Sequence, residues 1–374
     1  MNYLPLSQVC KINMGQSPES SSYNENGDGL PFFQGNADFG ERHPVTRVWC
    51  NAPTKIAHAG DILISVRAPI GAMNYASEEC CIGRGLAAIT PDANEVSSEF
   101  IFWLLKGKNT ELNSKGTGST FKAIGRRVLE EVLVPDIGLK QQAEYAQVLE
   151  TVYNLIEGRK EQLRTLDQLI KARFVEMFGE PHRSKMYPYL KVSELTDVVS
   201  GGTPDRKNAD YWNEGTIPWV KTTELQNNVI TVVEERITEK GLSDSSAKKV
   251  PANTVLIAMY GQGKTRGMTG FLGIEACTNQ ACACLLPTNN IGMQYLWYFL
   301  ILSYDELRGL AQGGNQPNLN AGMIKDFPIL IPPMEEQRKF VSFVSQVDKS
   351  KLSIQASLDQ LETLKQSLMQ KYFG

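Results

Sequence analysis

A chain of 374 residues is too long for one ordinary domain and suits two or three. With 42% hydrophobic and 21% charged residues it is globular rather than disordered, and its longest apolar run, Leu296 to Leu302, falls far short of the ~18–20 residues that span a bilayer. A net charge of −3, from 38 basic and 41 acidic residues, means that overall basicity cannot argue for a nucleic-acid partner.

The opening segment, Met1 to Gly15, has no charged start followed by an apolar stretch, so no signal peptide is expected. The seven cysteines include the adjacent pair Cys80 and Cys81 and no CxxC, a pattern of reduced thiols in a cytoplasm. His43, His58 and His182 are too few and too scattered for a zinc site. From Tyr3 onward the chain then repeats itself. Tyr3-Leu4, Leu6-Ser7, Gly15 and Ser17-Pro18 recur 186 residues later as Tyr189-Leu190, Val192-Ser193, Gly201 and Thr203-Pro204. Leu30-Pro31-Phe32-Phe33 is echoed by Ile217-Pro218-Trp219-Val220, and the strand-like run Asp61–Ser65 by Thr254–Ala258. Aromatic-rich segments, Phe100 to Leu105 and Tyr295 to Leu300, precede glycine-rich loops at Gly116–Thr120 and Gly313–Pro317. Strand-like endings follow, Val132 to Pro135 and Ile329 to Pro333. An ordered series of this kind points to an internal duplication.

Each half closes on a stretch of a different character. Residues 139–178 and 335–371 contain no proline and a single glycine, Gly158. Apolar residues recur at helical spacing: Leu149, Val152, Ile156, Leu163, Leu166, Ile170, Phe174 and Met177, then Phe340, Val344, Val347, Ile354, Leu358, Leu361, Leu364, Leu368 and Tyr372. A helix of ~40 residues is ~60 Å long and outruns a small domain. The two helices are therefore expected to pack on each other, antiparallel; the plainer alternative is that each packs on its own domain. The expected class is α+β: two α/β domains separated by two long antiparallel coiled-coil helices, a pseudo-two-fold repeat. The expected divisions are residues 1–138 and 181–334 for the domains, and 139–180 and 335–374 for the helices.

Motifs of catalysis are missing. Ala258 to Thr265 resembles a phosphate loop, but Gly267 and Gly270 oppose the helix that such a loop must open. Cys282 and Cys284 lack a second matching pair and read as buried strand thiols. Pro204-Asp205-Arg206-Lys207 lacks a second acidic partner and reads as a solvated turn. No S-adenosylmethionine fingerprint, Asn/Asp-Pro-Pro-aromatic tetrapeptide or nucleophile setting is found. The chain is expected to have no catalytic residue, no metal and no cofactor of its own.

Charge is nonetheless uneven. Lys106, Lys108, Lys115, Lys122, Arg126 and Arg127 face only Glu111 in their stretch, and Lys248, Lys249, Lys264 and Arg266 lie in a stretch without an acid. Cations among Gly, Ser and Thr suit phosphate oxygens, whereas base edges call for Arg, Asn or Gln. The candidate DNA-contacting residues are Gln34, Asn36, Arg67, Arg84, Lys115 and Lys122 in the first half. In the second they are Lys221, Thr222, Lys264, Arg266, Asn315 and Gln316.

The chain resembles the specificity subunits of type I restriction–modification enzymes. The resemblance is carried by Gly202-Thr203-Pro204, Ile217-Pro218-Trp219, Leu256 to Gly261, Asn315 to Leu319 and Ile331 to Arg338. The first half departs from it in Ser17-Pro18 and in Lys140-Gln141-Gln142, where the second has Glu335-Glu336-Gln337. The resemblance implies two target-recognition domains that read the halves of a bipartite, asymmetric double-stranded DNA site, with the helices as spacer. It also implies two modification subunits that methylate adenine with S-adenosylmethionine, and restriction subunits that use ATP and magnesium. Two other readings stay open on the residues alone: the specificity chain of a fused, non-translocating restriction system, and a coiled-coil scaffold that binds no DNA.

Overall fold

The computed structural model describes residues 2–118, 122–261, 263–311 and 317–374. The chain divides into two compact units, residues 1–161 with 355–374, and residues 162–354. The division falls inside the long helices, so each unit draws on both halves of the sequence.

In the first unit an antiparallel sheet runs in the order Cys10–Met14, Leu86–Pro91, Ile62–Ser65, Met73–Tyr75. Its central strands are buried on both faces, as their continuous apolar runs require. A second sheet pairs Leu30–Phe33 in parallel with Cys80–Ile82, and a two-stranded ribbon joins Tyr3–Pro5 to Leu133–Pro135. The second unit repeats this plan. Val198–Ser200, Cys282–Leu285, Val255–Ala258 and Thr269–Leu272 follow in the same antiparallel order, with Asn228–Ile230 added in parallel at the edge. Ile217–Val220 pairs in parallel with Cys277–Thr278, and Tyr189–Lys191 pairs with Pro328–Leu330. The duplication read from sequence is thus a duplication of topology.

The aromatic segments are helices, Ser98–Gly107 and Met293–Leu302, whose side chains fill the core of each unit. Each is tied to a long helix by a buried glutamine. Gln142 accepts a hydrogen bond from the Ser97 amide through Oε1 (2.9 Å) and donates through Nε2 to the carbonyls of Glu95 and Ile137. Gln337 accepts from the Gly292 amide (2.8 Å) and donates to the Pro332 carbonyl. Each amide thereby satisfies a backbone donor at the start of one helix and a carbonyl before the other, groups that helix termini otherwise leave open.

The long helices span Leu139–Phe178 and Met334–Phe373. Within the first unit they run antiparallel: Tyr145, near the start of one, stacks on Tyr372, near the end of the other, at 3.8 Å between ring centres. Within the second unit Phe174 and Phe178 meet Phe340 edge-on. They also join the domain cores, so that both expected packings operate at once. Ala146 and Leu149 lie in the core of the first unit, and Phe340, Val344, Phe174 and Phe178 in that of the second. Phe178 packs against Tyr295 and Phe373 against Phe100, each at 5.5 Å between ring centres. One expected seam residue does not belong: Leu364 is exposed, having rotated away from the line through Leu358, Leu361 and Leu368. No described helix is long and apolar enough to cross a membrane.

Candidate nucleic-acid interface

The sheets of each unit end at a cluster of loops where the backbone makes close approaches. In the first unit, a Cβ on Gly15 would come within 2.1 Å of the Gly83 carbonyl oxygen, and one on Gly85 within 2.3 Å of that of Gln34. Only glycine permits these contacts. The turn at residues 83–86 is held by Gly83 N–H to Phe33 O and Leu86 N–H to Gly83 O. Val66 N–H to Gly85 O joins it to the next hairpin, and Ile124 N–H to Val66 O and Ala68 N–H to Lys122 O bring in the loop after the aromatic helix. These bonds gather Gln34, Arg84, Arg67 and Lys122 at one edge, all four exposed. Asn36 is half-buried beside them in a short helix, Asn36–Asp38, where the Asp38 carboxylate accepts hydrogen bonds from the amides of Gln34 and Gly35. Lys115 lies next to this edge, with its ammonium held by Glu111 at 2.6 Å.

The basic stretch from Lys106 to Arg127 contributes less free charge than its composition implies. Lys106 packs over the rings of Phe102, Trp103 and Tyr153, and burial pushes its pKa down to about 8. Arg126 and Arg127 pair with Glu130 and Glu131, and Lys108 with Glu111. Of the six, Lys106 and Lys122 have no ion pair among the described residues, and of these two only Lys122 is exposed.

The second unit builds its edge from the same loops. Gly202 N–H bonds to Thr278 O, Asn279 N–H to Val220 O, Met259 N–H to Ala281 O, and Leu319 N–H to Met259 O. Val255–Ala258 and Thr269–Leu272 are antiparallel neighbours that form a hairpin, with Gly267 N–H bonded to Ala258 O at its base, and no helix opens here among the described residues. The hairpin is braced from outside: the Tyr304 hydroxyl donates to the Lys264 carbonyl (2.7 Å) and Arg308 to the Arg266 carbonyl (2.9 Å). Lys264 is exposed at its tip, whereas Arg266 is half-buried and donates to the Pro317 carbonyl. Thr222 is half-buried at the start of the short helix Thr222–Glu224. Lys221 is held in ion pairs with Glu234 (2.6 Å) and Glu235 (3.0 Å), and the hydrogen bond it donates to the Glu234 carboxylate leads the causes that raise its pKa. Asn315 and Gln316 lie outside the described residues.

Two expectations need revision. The turn at Pro204–Lys207 is not merely solvated: Arg206 lies 3.8 Å above the ring of Trp212 and 4.6 Å from that of Trp219, and pairs with Glu235. Sequence reasoning also passed over Gln280 and Tyr260, both exposed at the second edge where the first unit has Arg84 and Arg67. The signal was present, but the repeat offset grows from 186 at Tyr3 to 196 at Arg84, which hides the correspondence. Cys282 and Cys284 are buried in their strand, and desolvation pushes Cys284 up to about 11. Among the described residues no His, Cys, Asp and Glu group is placed to hold a metal ion.

Two domains that share a core sheet order, each ending in a loop edge with exposed cationic or amide side chains, define a class of duplicated recognition proteins. The particular family follows from comparison. Residues 1–165 and 188–363 match the type I restriction modification DNA specificity domain, and the chain belongs to that family of DNA specificity subunits. It is 41% identical over 161 residues to the putative type I restriction enzyme MjaX specificity subunit of Methanocaldococcus jannaschii, a match covering 43% of this chain and only 38% of that protein. It is 23% identical over 351 residues to the MjaIX specificity subunit of the same organism, covering 89% of this chain and 81% of the relative. Its fold is similar to that of the S subunit of a type I restriction–modification system from M. genitalium, with a TM-score of 0.59, 15% identity, and coverage of 100% of this chain and 96% of that one. A chain from a study of type I complex assembly and conformational transition gives a TM-score of 0.60 at 19% identity, covering 100% and 97%.

Proposed function

We propose that the chain reads a bipartite, asymmetric double-stranded DNA site, one half-site per loop edge, on behalf of a type I restriction–modification complex. The observation that carries the reading is the duplicated edge with unequal side chains. Equal topology suits one kind of ligand, B-form DNA, while different exposed groups suit different base sequences in its two halves. The two long helices, each contributing to both units, are the element that fixes half-site spacing. Exposed apolar positions on them, Val148 and Leu155 in the first unit and Leu169 and Leu352 in the second, offer docking points for two modification subunits. S-adenosylmethionine, ATP and magnesium belong to the modification and restriction subunits rather than to this chain.

The test is methylation by the full chain assembled with its modification subunits, with modified adenines mapped by sequencing. Two short specific elements at fixed separation are expected, and exchange of one unit's loop edge should change one element only. Methylation indifferent to both edges would overturn the proposal.

A further inference from the structure

The hydrogen bonds shared by the two edges fix which residues correspond. Gly83 N–H reaches Phe33 O at 2.8 Å, as Asn279 N–H reaches Val220 O at 3.0 Å. Leu86 N–H closes the turn on Gly83 O at 3.0 Å, as Cys282 N–H closes it on Asn279 O at 3.1 Å. Val66 N–H takes Gly85 O and Met259 N–H takes Ala281 O. Arg84 and Gln280 therefore hold the same position of the same tight turn, and both are exposed. A hydroxyl stands beside each at corresponding places: Ser17 Oγ accepts from the Arg84 amide at 3.2 Å, and Thr203 Oγ1 donates to Gln280 Oε1.

The chemistry of the two side chains differs in one respect that matters to a base edge. A guanidinium presents parallel donors and matches the O6 and N7 acceptors of guanine. A carboxamide presents one donor and one acceptor and matches N7 and N6 of adenine. The Thr203 hydroxyl occupies one lone pair of Gln280 Oε1 and orients the amide, leaving the second lone pair and the Nε2 hydrogens for a ligand. Arg84 makes no ion pair among the described residues, in contrast to Lys221 and Lys115, so its guanidinium is not already committed to a carboxylate.

We infer that Arg84 and Gln280 are paired specificity residues, Arg84 selecting guanine in the half-site of the first unit and Gln280 selecting adenine in that of the second. The inference rests on the DNA-reading function proposed above and names the groups that carry it. A phosphate contact would act alike on all sequences, whereas a base contact acts at one position.

The experiment compares the wild-type chain, Gln280→Arg, Gln280→Ala, Arg84→Gln and Arg84→Ala, each assembled with the modification subunits. Methylation rates are measured on the wild-type site and on DNA with single base-pair changes, and thermal unfolding confirms that each variant is folded. Gln280→Ala and Arg84→Ala should each lose about ten- to a hundredfold in discrimination at one base pair of one half-site. Gln280→Arg should shift that position from A·T toward G·C with the other half-site unchanged, and Arg84→Gln should shift its own in the opposite sense. Uniform loss on all sequences, or an unchanged motif in both alanine variants, overturns the inference while leaving the wild-type bipartite motif intact. A wild-type complex that methylates no bipartite site overturns the parent function and this inference with it.

Discussion

The two units differ least where they are buried and most where they are exposed. Gln142 and Gln337 make the same latch, and Phe373 and Phe178 each pack on the aromatic helix of their own unit at the same ring separation. At the loop edges, Arg84 corresponds to Gln280, Arg67 to Tyr260, and Lys122 to Pro317 in the repeat. Packing geometry tolerates little substitution because a core is filled at crystal-like density, while an exposed turn constrains only the backbone. The comparison separates what holds a reader together from what it reads.

The largest test of that separation lies in the cores. Phe178→Ala and Phe373→Ala should each cost about 3–5 kcal/mol in denaturant unfolding, because both rings are fully buried among others. A small effect in one unit alone would show that the repeat is not symmetrical in its energetics. Gln142→Leu and Gln337→Leu should each cost about 1–3 kcal/mol, since either change strands buried backbone groups. Calorimetry or chemical unfolding measures this, and unequal costs would break the correspondence.

The edges are sharpened by salt. Replacing Arg67 and Lys122 together by alanine should lower the slope of log K against log salt on duplex DNA by ~2 contacts, and Lys264→Ala by ~1. Lys221→Ala should leave the slope nearly unchanged, because Glu234 and Glu235 already neutralise that ammonium. A fall of a full contact for Lys221→Ala would mean that DNA displaces the carboxylates.

The smallest expected effect is a pH dependence confined to the second unit. His182 is packed against Phe299 and Phe327 with Nε2 2.8 Å from Ser303 Oγ, and desolvation lowers its pKa. The folded state then binds fewer protons than the unfolded chain, so stability is full above the usual histidine value of ~6.5 and declines as pH falls through it. Peptide-resolved hydrogen exchange between pH 5 and 8 should show this around residues 179–189 and 299–303. A His182→Asn variant, tolerant of the left-handed backbone there (φ 61°), should flatten it.

Much of the fold was legible because its signals are local and repeated. Forty residues without proline and with apolar steps of three and four can only be a long helix, and the strand echoes kept their order across the insertions. The edges were less so. Lys106 and Lys122 read alike in sequence, yet one lies among aromatic rings and the other in solvent, a difference set by Tyr153 some thirty to fifty residues away in the chain. Lys221 looked free because Glu234 and Glu235 reach it only through strand pairing with Glu235–Ile237. Gln280 was hidden because only hydrogen-bond registration, not residue identity, matches it to Arg84.

The interleaving of the two units has a consequence for biosynthesis. The unit of residues 162–354 emerges as one uninterrupted stretch, whereas the other lacks its closing helical segment, residues 355–374, until some 190 residues after its own body has been made. At ~5–20 residues per second the ribosome leaves it waiting for roughly 10–40 s. During that interval the faces of Phe100 and Tyr145 lack Phe373 and Tyr372, so the earlier-made body is the later to mature, and nascent-chain quality control has its clearest opening there.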